Sequence, residues 1–227
     1  RRDDPKKIKI KDEYHSQSPY INEMVWNLGI DQIKSHSCEA DDLAGAYSRL
    51  LTRAGYQVEL VTGDQDWLQL ITPDVTWYDP IRDRRVDVMN FEEFTGYPNT
   101  AQFIDSKCLM GDTSDNNKGV GGIGKVGAAK LLAHFGSVEE FLRDPHGGFH
   151  TKFPAPWERL VNDPSAYHRN MKLMKLDGKH PSIKDKIITA GKWNRGAFEK
   201  QCEDLAFFSI MKDMDNWIVP FERLRFR

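Results

Sequence analysis

The sequence predicts an α/β fold, in which helices flank a parallel sheet and a purely helical region follows. Before Gly96, short apolar runs of β-forming residues alternate with amphipathic helical patterns. After Gly96 the patterns are helical only. No apolar run approaches the roughly 20 residues needed to cross a bilayer, so we expect no membrane partner.

The composition is that of a globular protein with a substantial core. The chain has 227 residues, of which 39% are hydrophobic and 29% charged. Its 32 basic and 34 acidic residues leave a net charge of -2. A polyanion could therefore be bound only through local basic patches. The first residues lack the apolar stretch of a secretory signal, and we expect a cytoplasmic protein.

The first third of the chain is expected to begin without regular structure. Residues 1–17 are charged and show no apolar stripe. Ser18 and Pro19 are typical of a helix start, and this helix is expected to end at Gly29. Three further elements should begin one parallel sheet with its first crossover: a short strand through Ile33, a helix over 39–55 and a strand over 58–62.

Further along the chain the patterns predict strands, several helices and one long loop. The expected strands cover 75–78 and 86–89, and the expected helices cover about 100–110, 125–135, 138–143, 165–176 and 194–211. Residues 144–157 contain three prolines and two glycines and are predicted to form a loop. Residues 221–227 form a basic, aromatic tail.

Three groups of carboxylates stand at the ends of predicted elements. They are Glu39, Asp41 and Asp42; Asp64 and Asp66; and Asp112 and Asp115. Ligands of parallel sheets collect beyond the carboxyl ends of the strands, where the first two groups should converge. So many negative charges would repel one another unless cations lay between them. Carboxylates suit Mg²⁺, and two such ions roughly 4 Å apart can assist hydrolysis of a phosphodiester.

Each group also has a structural interpretation. Acidic residues in a first helical turn are favoured by the helix dipole alone. Aspartates after a strand or a helix often cap or turn the chain. The joint occurrence of the three groups, in this order, is what favours the metal-site hypothesis.

A glycine-rich segment lies between two helical patterns, over residues 117–129. No strand precedes it and no Lys-Ser or Lys-Thr pair follows it, so it is neither a dinucleotide fingerprint nor a P-loop. Glycines between two helices let the backbone approach a phosphate, and Lys118, Lys125 and Lys130 would add charge. The segment predicts a clamp for duplex DNA that does not read its sequence. The alternative is a tight helix–helix turn without a ligand.

Together these motifs resemble the 5′-nuclease family. The segments that carry the resemblance are Glu39–Asp42, Thr62–Asp66, Met110–Asn116 and Gly119–Gly124, and it spans about residues 38–143. The family includes flap endonucleases, the 5′-to-3′ exonuclease domain of bacterial DNA polymerase I and phage 5′-to-3′ exonucleases. The resemblance implies a PIN-like α/β core, followed by a helix-three-turn-helix motif that binds duplex DNA.

The resemblance also implies two-metal hydrolysis of DNA, with Mg²⁺ or Mn²⁺, near 5′ ends, flaps or RNA primers. Asp64 and Asp66 would be ligands of the first metal, and Asp112 and Asp115 of the second. Glu39, Asp41 and Asp42 would help bind the metals or their waters. Gly121, Gly122, Ile123 and Gly124 would form a turn that binds phosphate and a K⁺ or Na⁺ ion. Residues 169–176 would form the helix that returns toward the core.

The resemblance implies three regions. They are a nuclease core over 1–98, a helix-three-turn-helix region over 99–145, and a helical region over 146–227 that packs on the core. Family members begin with a strand that ends in a metal-binding aspartate, and the 38 residues before Glu39 contain no such pattern. The chain is thus expected to be a fragment, to be completed by a second polypeptide, or to lack full catalysis.

Two other functions remain open at this stage. One is a non-catalytic, structure-selective DNA-binding module that has kept the glycine-rich turn. The other is a PIN-like ribonuclease, which is disfavoured because it would not need the segment Gly119–Gly124.

Overall fold

The chain forms two compact units. The computed structural model describes residues 5–113, 116–147, 154–177, 179 and 184–222. One unit is drawn from residues 1–37 and 184–227, and the other covers 38–183. This division follows packing contacts, whereas the three predicted regions follow motifs. The three-region division therefore stays a prediction.

The first unit combines the two ends of the chain. Its elements are α1 (Pro5–Asn27), β1 (Gln32–Lys34), β7 (Ile187–Thr189), α9 (Arg195–Asp204), α10 (Phe208–Met211) and α11 (Met214–Glu222). Strands β1 and β7 pair antiparallel. A small core holds the helices together, made of Met24, Leu28, Phe198, Cys202 and Ile218.

Helix α1 corrects two expectations, because residues 5–17 are helical and Ser18 does not begin a helix. All side chains over 8–17 are exposed. Because this part of the helix buries no face, its sequence has no apolar stripe from which a helix could be predicted. Ser18 Oγ donates to the carbonyl of Tyr14 instead of capping, and Pro19 lies inside the helix. Within the residues that the structure describes, no helix is both long and apolar enough to cross a membrane.

The second unit contains the main sheet, in the order β2 (Val58–Val61), β3 (Val75–Asp79) and β4 (Arg84–Val86). Strands β2 and β3 are parallel, with Leu60 opposite Trp77. Strands β3 and β4 are antiparallel. The expected pairing of the strand at Ile33 with this sheet is wrong, because β1 pairs with β7 instead. The sequence could not show this, since β7 is exposed at all three residues and has no buried face.

Helices cover the rest of the second unit. They are α2 (Ala40–Arg53), a 3-10 helix (Gln65–Leu70), α3 (Phe91–Thr95), α4 (Thr100–Met110), α5 (Lys125–Phe135), α6 (Val138–Arg143), α7 (Ala155–Asn162) and α8 (Ser165–Met174). A two-stranded hairpin of β5 (Gly111–Asp112) and β6 (Asn117–Lys118) separates α4 from α5. One continuous core joins the sheet to α4, α5, α6, α7 and α8.

Other boundaries also differ from the prediction, and the strand expected over 86–89 lies at Arg84–Val86. Helix α7 begins inside the expected loop, because Pro154 and Pro156 fall before or within its first turn, where proline is tolerated. The helix expected over 194–211 is broken between α9 and α10, where Ala206 has φ 56°. The start of the expected tail belongs to α11, and residues 223–227 lie outside the described residues.

A buried carboxylate ties three helices of the second unit together. Asp105, on α4, is 6% exposed. Its Oδ2 accepts a hydrogen bond from the backbone N–H of Val138 at 3.0 Å, and its Oδ1 accepts one from the Tyr167 hydroxyl at 2.7 Å. Burial raises the pKa of Asp105, although these two hydrogen bonds act in the opposite direction. The position of α4 thus depends on a carboxylate that both neighbouring helices must satisfy.

Replacing this carboxylate by its amide should change how stability depends on pH. A carboxyl whose pKa is raised on folding contributes stability below its unfolded pKa of about 4 and loses it as pH rises. The Asp105→Asn variant lacks this contribution. The difference in unfolding free energy, wild type minus variant, should therefore decrease as pH rises above about 4, as measured by urea denaturation.

Asp163→Asn is the matched control with the opposite sign. Hydrogen bonds from Ser165 lower the pKa of Asp163, so its contribution is present above the unfolded pKa and is lost as pH falls. If both variants show the same pH slope, the assignment to burial of Asp105 is wrong.

Candidate active site

The second group of carboxylates lies where the sequence predicts it, just beyond the carboxyl end of β2. Asp64 caps the 3-10 helix, and its Oδ1 accepts from the N–H of Asp66 at 2.8 Å. The indole N–H of Trp77 donates to the carbonyl of Asp64 at 2.9 Å. Since Trp77 is fully buried in β3, the backbone at Asp64 is anchored to the sheet.

Asp66 forms an ion pair with a lysine on α4. Lys107 Nζ contacts Asp66 Oδ1, and the two side chains are only 20% and 27% exposed. This oxygen is buried and accepts no hydrogen bond of good geometry from the described residues. The Lys107 ammonium therefore already neutralises Asp66, a carboxylate that the sequence predicts to be a metal ligand.

The first group, at the start of α2, performs structural roles. Glu39 is the N-cap of α2 and forms a capping box with Asp42, whose Oδ2 accepts from the N–H of Glu39 at 3.2 Å. Asp41 Oδ1 accepts from the indole N–H of Trp67 at 2.9 Å. Since Trp67 belongs to the 3-10 helix, the first two groups approach each other as expected, through Asp41.

The third group lies in the hairpin after α4. Asp112 pairs with Asn117 across the hairpin. Gly111 has φ 76°, a conformation that side chains disfavour. Asp115 lies outside the described residues.

The described residues do not bring the predicted metal ligands together in one group. Within 5–113, 116–147, 154–177, 179 and 184–222, no three Asp, Glu, His or Cys side chains are grouped to hold a metal ion. The donors are of the right kind, since they are carboxylate oxygens. Three of them already have protein partners: Asp41 and Asp42 accept N–H groups, and Asp66 pairs with Lys107. The metal-ligand roles of these residues stay predictions.

The glycine-rich turn is held from inside by two apolar residues. Val120 and Ile123 are buried, and Val120 N–H donates to the carbonyl of Leu109 at 2.8 Å. Ile123 thus acts as packing, and only its backbone could contact a ligand. The other predicted DNA-binding residues are all exposed: Lys118, Gly121, Gly122, Gly124, Lys125 and Lys130. Gly124 is the N-cap of α5, so the first N–H groups of that helix lie beside the glycines.

Three residues that sequence reasoning missed hold the turn from outside. Asn170 is fully buried on α8, and its amide donates to the carbonyls of Cys108 and Lys118, both at 2.9 Å. Arg169 also donates to the carbonyl of Lys118, and Arg159 on α7 donates to the carbonyl of Gly121. For Asn170 a signal existed: it follows the buried Tyr167 by three positions, which places an amide on the apolar face of α8.

Protein donors already bind several carbonyls of the turn in which a K⁺ or Na⁺ ion is expected, and the ion itself stays a prediction. The carbonyl of Gly121, one of its expected ligands, accepts from Arg159 Nη2 at 2.9 Å and from Arg159 Nε at 3.2 Å. The carbonyls of Val120 and Gly124 each accept a backbone N–H.

Two family models match the chain in succession. Residues 6–96 match the N-terminal resolvase-like domain of 5′-3′ exonucleases, and residues 98–188 match the C-terminal SAM fold of the same enzymes. The chain belongs to the 5′-nuclease family. The predicted fold class, an α/β core followed by a helical region, is confirmed.

Relatives of known sequence include DNA polymerases. DNA polymerase I of Streptococcus pneumoniae is 33% identical over 184 residues, which is 77% of this chain and 20% of that protein. DNA polymerase I of Lactococcus lactis subsp. cremoris is 37% identical over 147 residues, 60% of this chain and 16% of that protein. The chain therefore spans a fifth or less of these relatives.

Solved structures share the fold. A variant of the phage T5 5′-exonuclease is 28% identical, with a TM-score of 0.54 over 61% of this chain and 56% of that chain. The T5 enzyme with divalent zinc bound is 29% identical, with the same TM-score, 61% of this chain and 50% of that chain being covered. The catalytic core of Rad2, in complex with a DNA substrate, is 18% identical, with a TM-score of 0.54 over 92% of this chain and 71% of that chain. At that identity, Rad2 supports the fold alone.

Gly119 should tolerate no side chain. A Cβ there would lie 2.2 Å from the carbonyl oxygen of Met110, which is backbone and cannot move aside. Gly119→Ala should lower the free energy of unfolding by about 3 kcal/mol or more, as measured by urea denaturation. The control is Gly121→Ala, because a Cβ at Gly121 meets no described atom within 4 Å. Equal losses in the two variants would contradict this account.

Without the Lys107 ammonium, the carboxylate of Asp66 should destabilise the protein unless another cation binds it. Lys107→Met should destabilise the protein by about 1–3 kcal/mol, because it leaves a buried carboxylate oxygen without its partner. Thermal unfolding should show that Mg²⁺ or Ca²⁺ then stabilises the variant more than the wild type. The double variant Lys107→Met with Asp66→Asn should lose that extra stabilisation. An equal response of wild type and Lys107→Met to the divalent ion would contradict the interpretation.

Proposed function

We propose that this chain is the nuclease part of a 5′-to-3′ exonuclease or flap endonuclease that hydrolyses DNA near 5′ ends. The observation that carries the proposal is the position of α4. Its residue Lys107 contacts Asp66 at the edge of the sheet, and its end leads through the Asp112 hairpin into the glycine-rich turn. One rigid helix thus connects a group of carboxylates with a segment suited to hold phosphate.

Divalent metal ions are the proposed cofactors. The T5 5′-exonuclease has been solved with divalent zinc ions bound, and the ions in this chain would be two Mg²⁺ or Mn²⁺. Asp64, Asp66, Asp112 and Asp115 would be their ligands, with support from the group at Glu39–Asp42. Two such ions supply positive charge that stabilises the attacking and the leaving oxygen of a phosphodiester.

The protein residues would hold the DNA in place. The exposed N–H groups at the start of α5 and the nearby lysines, Lys118, Lys125 and Lys130, would bind backbone phosphates without reading bases. The anchoring of Asp64 by Trp77 would keep its carboxylate at the edge of the sheet. Lys107 would hold the Asp66 side chain in one orientation until a metal replaces the ammonium.

The substrate and setting are inferred from this chemistry. DNA with 5′ ends, flaps or RNA primers, met in replication and repair, offers both a duplex for the glycine-rich turn and a 5′ end for cleavage. A second polypeptide that supplies further metal ligands is an alternative to cleavage by this chain alone, and it stays a prediction. A cytoplasmic location stays a prediction.

A second function is favoured by one observation. The ammonium of Lys107 neutralises Asp66, which a non-catalytic DNA-binding module could use in place of a metal. Such a module would bind the duplex and cleave nothing. A ribonuclease is a weaker alternative, tested by comparing RNA and DNA substrates at the same salt concentration.

Cleavage of a 5′-labelled flap duplex tests the proposal. In Mg²⁺ the chain should release the flap or shorten the 5′ end. Asp64→Asn and Asp112→Asn should each reduce the rate at least about 100-fold, equivalent to about 2.7 kcal/mol of barrier. Binding to the same duplex in Ca²⁺, followed by fluorescence anisotropy, should change little, because the phosphate contacts lie elsewhere.

The matched control is Asp74→Asn. Asp74 is an exposed aspartate at the opposite end of the same sheet, where it accepts from the side chain of Gln57. This variant should cleave like the wild type. Binding without cleavage by the wild type would favour the non-catalytic module, and cleavage that survives both site variants would exclude these carboxylates as ligands.

A further inference from the structure

The carbonyl groups of the glycine-rich turn are bonded by arginines of the following helices. Arg159 donates two N–H groups to the carbonyl of Gly121, at 2.9 and 3.2 Å. Arg169 donates to the carbonyl of Lys118 at 2.8 Å. A guanidinium carries the same single positive charge as a monovalent metal ion, and it directs that charge through fixed N–H donors.

The turn is shaped to receive Arg159. Gly122 has φ 85°, and a Cβ at this position would lie 2.6 Å from Arg159 Nη2 and 3.2 Å from Pro156 Cγ. A side chain at position 122 would therefore displace the end of the arginine side chain, and the positive φ disfavours any side chain there. The absence of a side chain lets the guanidinium lie against the backbone of the turn.

Arg159 is itself held by a fixed helix. Its neighbours Trp157 and Leu160 are buried in the core, so α7 cannot shift without breaking that packing. The Arg159 residue as a whole is exposed. A guanidinium has five N–H donors, and two of them are used on Gly121. Among the described residues only Gly121 accepts from this guanidinium, so its remaining donors are available to a phosphate that reaches the turn.

We propose that Arg159 takes the place of a monovalent cation in the glycine-rich turn, and that it positions the turn and contacts a DNA phosphate. The DNA contact rests on the proposed function, while the replacement of the ion does not. Binding of duplex DNA should then be insensitive to whether K⁺ or a large organic cation is the salt. This property distinguishes a turn that carries its own cation from one that must bind an ion.

The test compares KCl with choline chloride at equal ionic strength. Affinity for a labelled 5′-flap duplex is measured in Ca²⁺ by fluorescence anisotropy. The wild type should bind equally in both salts, within about twofold. Arg159→Met, which keeps an unbranched apolar chain, should bind about tenfold more weakly in choline and recover in part in K⁺. Its plot of log affinity against log salt should be less steep by about one unit.

Two further variants separate charge from shape and from general surface effects. Arg159→Lys keeps the charge but loses the planar fork, so it should fall between the wild type and Arg159→Met. Arg143→Met is the matched control, because Arg143 is an exposed helical arginine whose guanidinium is held by Glu140. It should bind like the wild type in both salts.

Thermal unfolding without DNA shows whether K⁺ stabilises the protein, and this result is independent of the proposed function. The wild type should unfold at the same temperature in KCl and in choline chloride, and Arg159→Met should be stabilised by K⁺. If K⁺ stabilises the wild type and the variant equally, the inference is overturned, whether or not the chain binds DNA. If the unfolding data agree and no form of the chain binds the duplex, the proposed DNA contact fails and the replacement of the ion stands.

Discussion

The second unit depends on the burial of a single carboxylate on α4. A charged group removed from water is costly unless hydrogen bonds and nearby charges compensate it. Asp105 obtains its two hydrogen bonds only when the first turns of α6 and α8 are both in place. These two hydrogen bonds therefore fix the rotation of α4 and its distance from α6 and α8.

The rotation of α4 decides what the candidate site can do. Asp105 and Lys107 are two positions apart, so they point to nearly opposite sides of the helix. When Asp105 faces α6 and α8, Lys107 faces the 3-10 helix and reaches Asp66. The same helix ends at Gly111, and Asn170 binds the carbonyl of Cys108 together with that of Lys118. The last carbonyls of a helix need such partners, and here the partner also ties the helix end to the glycine-rich turn.

Much of this arrangement could be predicted from the sequence, because the relevant signals are local. The helix start near Glu39, the aspartates after β2 and the glycines before α5 each depend on a few neighbouring residues. The pairing of β1 with β7 could not be predicted, since it joins segments more than 150 residues apart in the sequence through short strands. The exposed half of α1 has no buried face, and hydrophobic periodicity carries no information about it.

For the candidate site, the sequence predicts which types of residue take part. It does not predict which side chains contact one another. Lys107 and Arg159 act through bonds to residues that are distant in the sequence, and no spacing rule marks them. Asp66 illustrates the difference. Its position after a strand indicated a cation ligand, and only the structure shows that a lysine of α4 already supplies a cation.

Local charge explains how a chain with a net charge of -2 can approach a polyanion. Screening confines electrostatic attraction to roughly 8–10 Å at physiological salt, so the charges next to the DNA matter more than the total. The glycine-rich turn contributes lysines, a helix N-terminus and the guanidinium of Arg159, all of them favourable to phosphate. The carboxylates near the sheet edge would repel the same phosphate unless cations neutralised them. A cation at Asp66, whether the Lys107 ammonium or a metal ion, therefore lowers the cost of bringing a phosphate to the carboxylates.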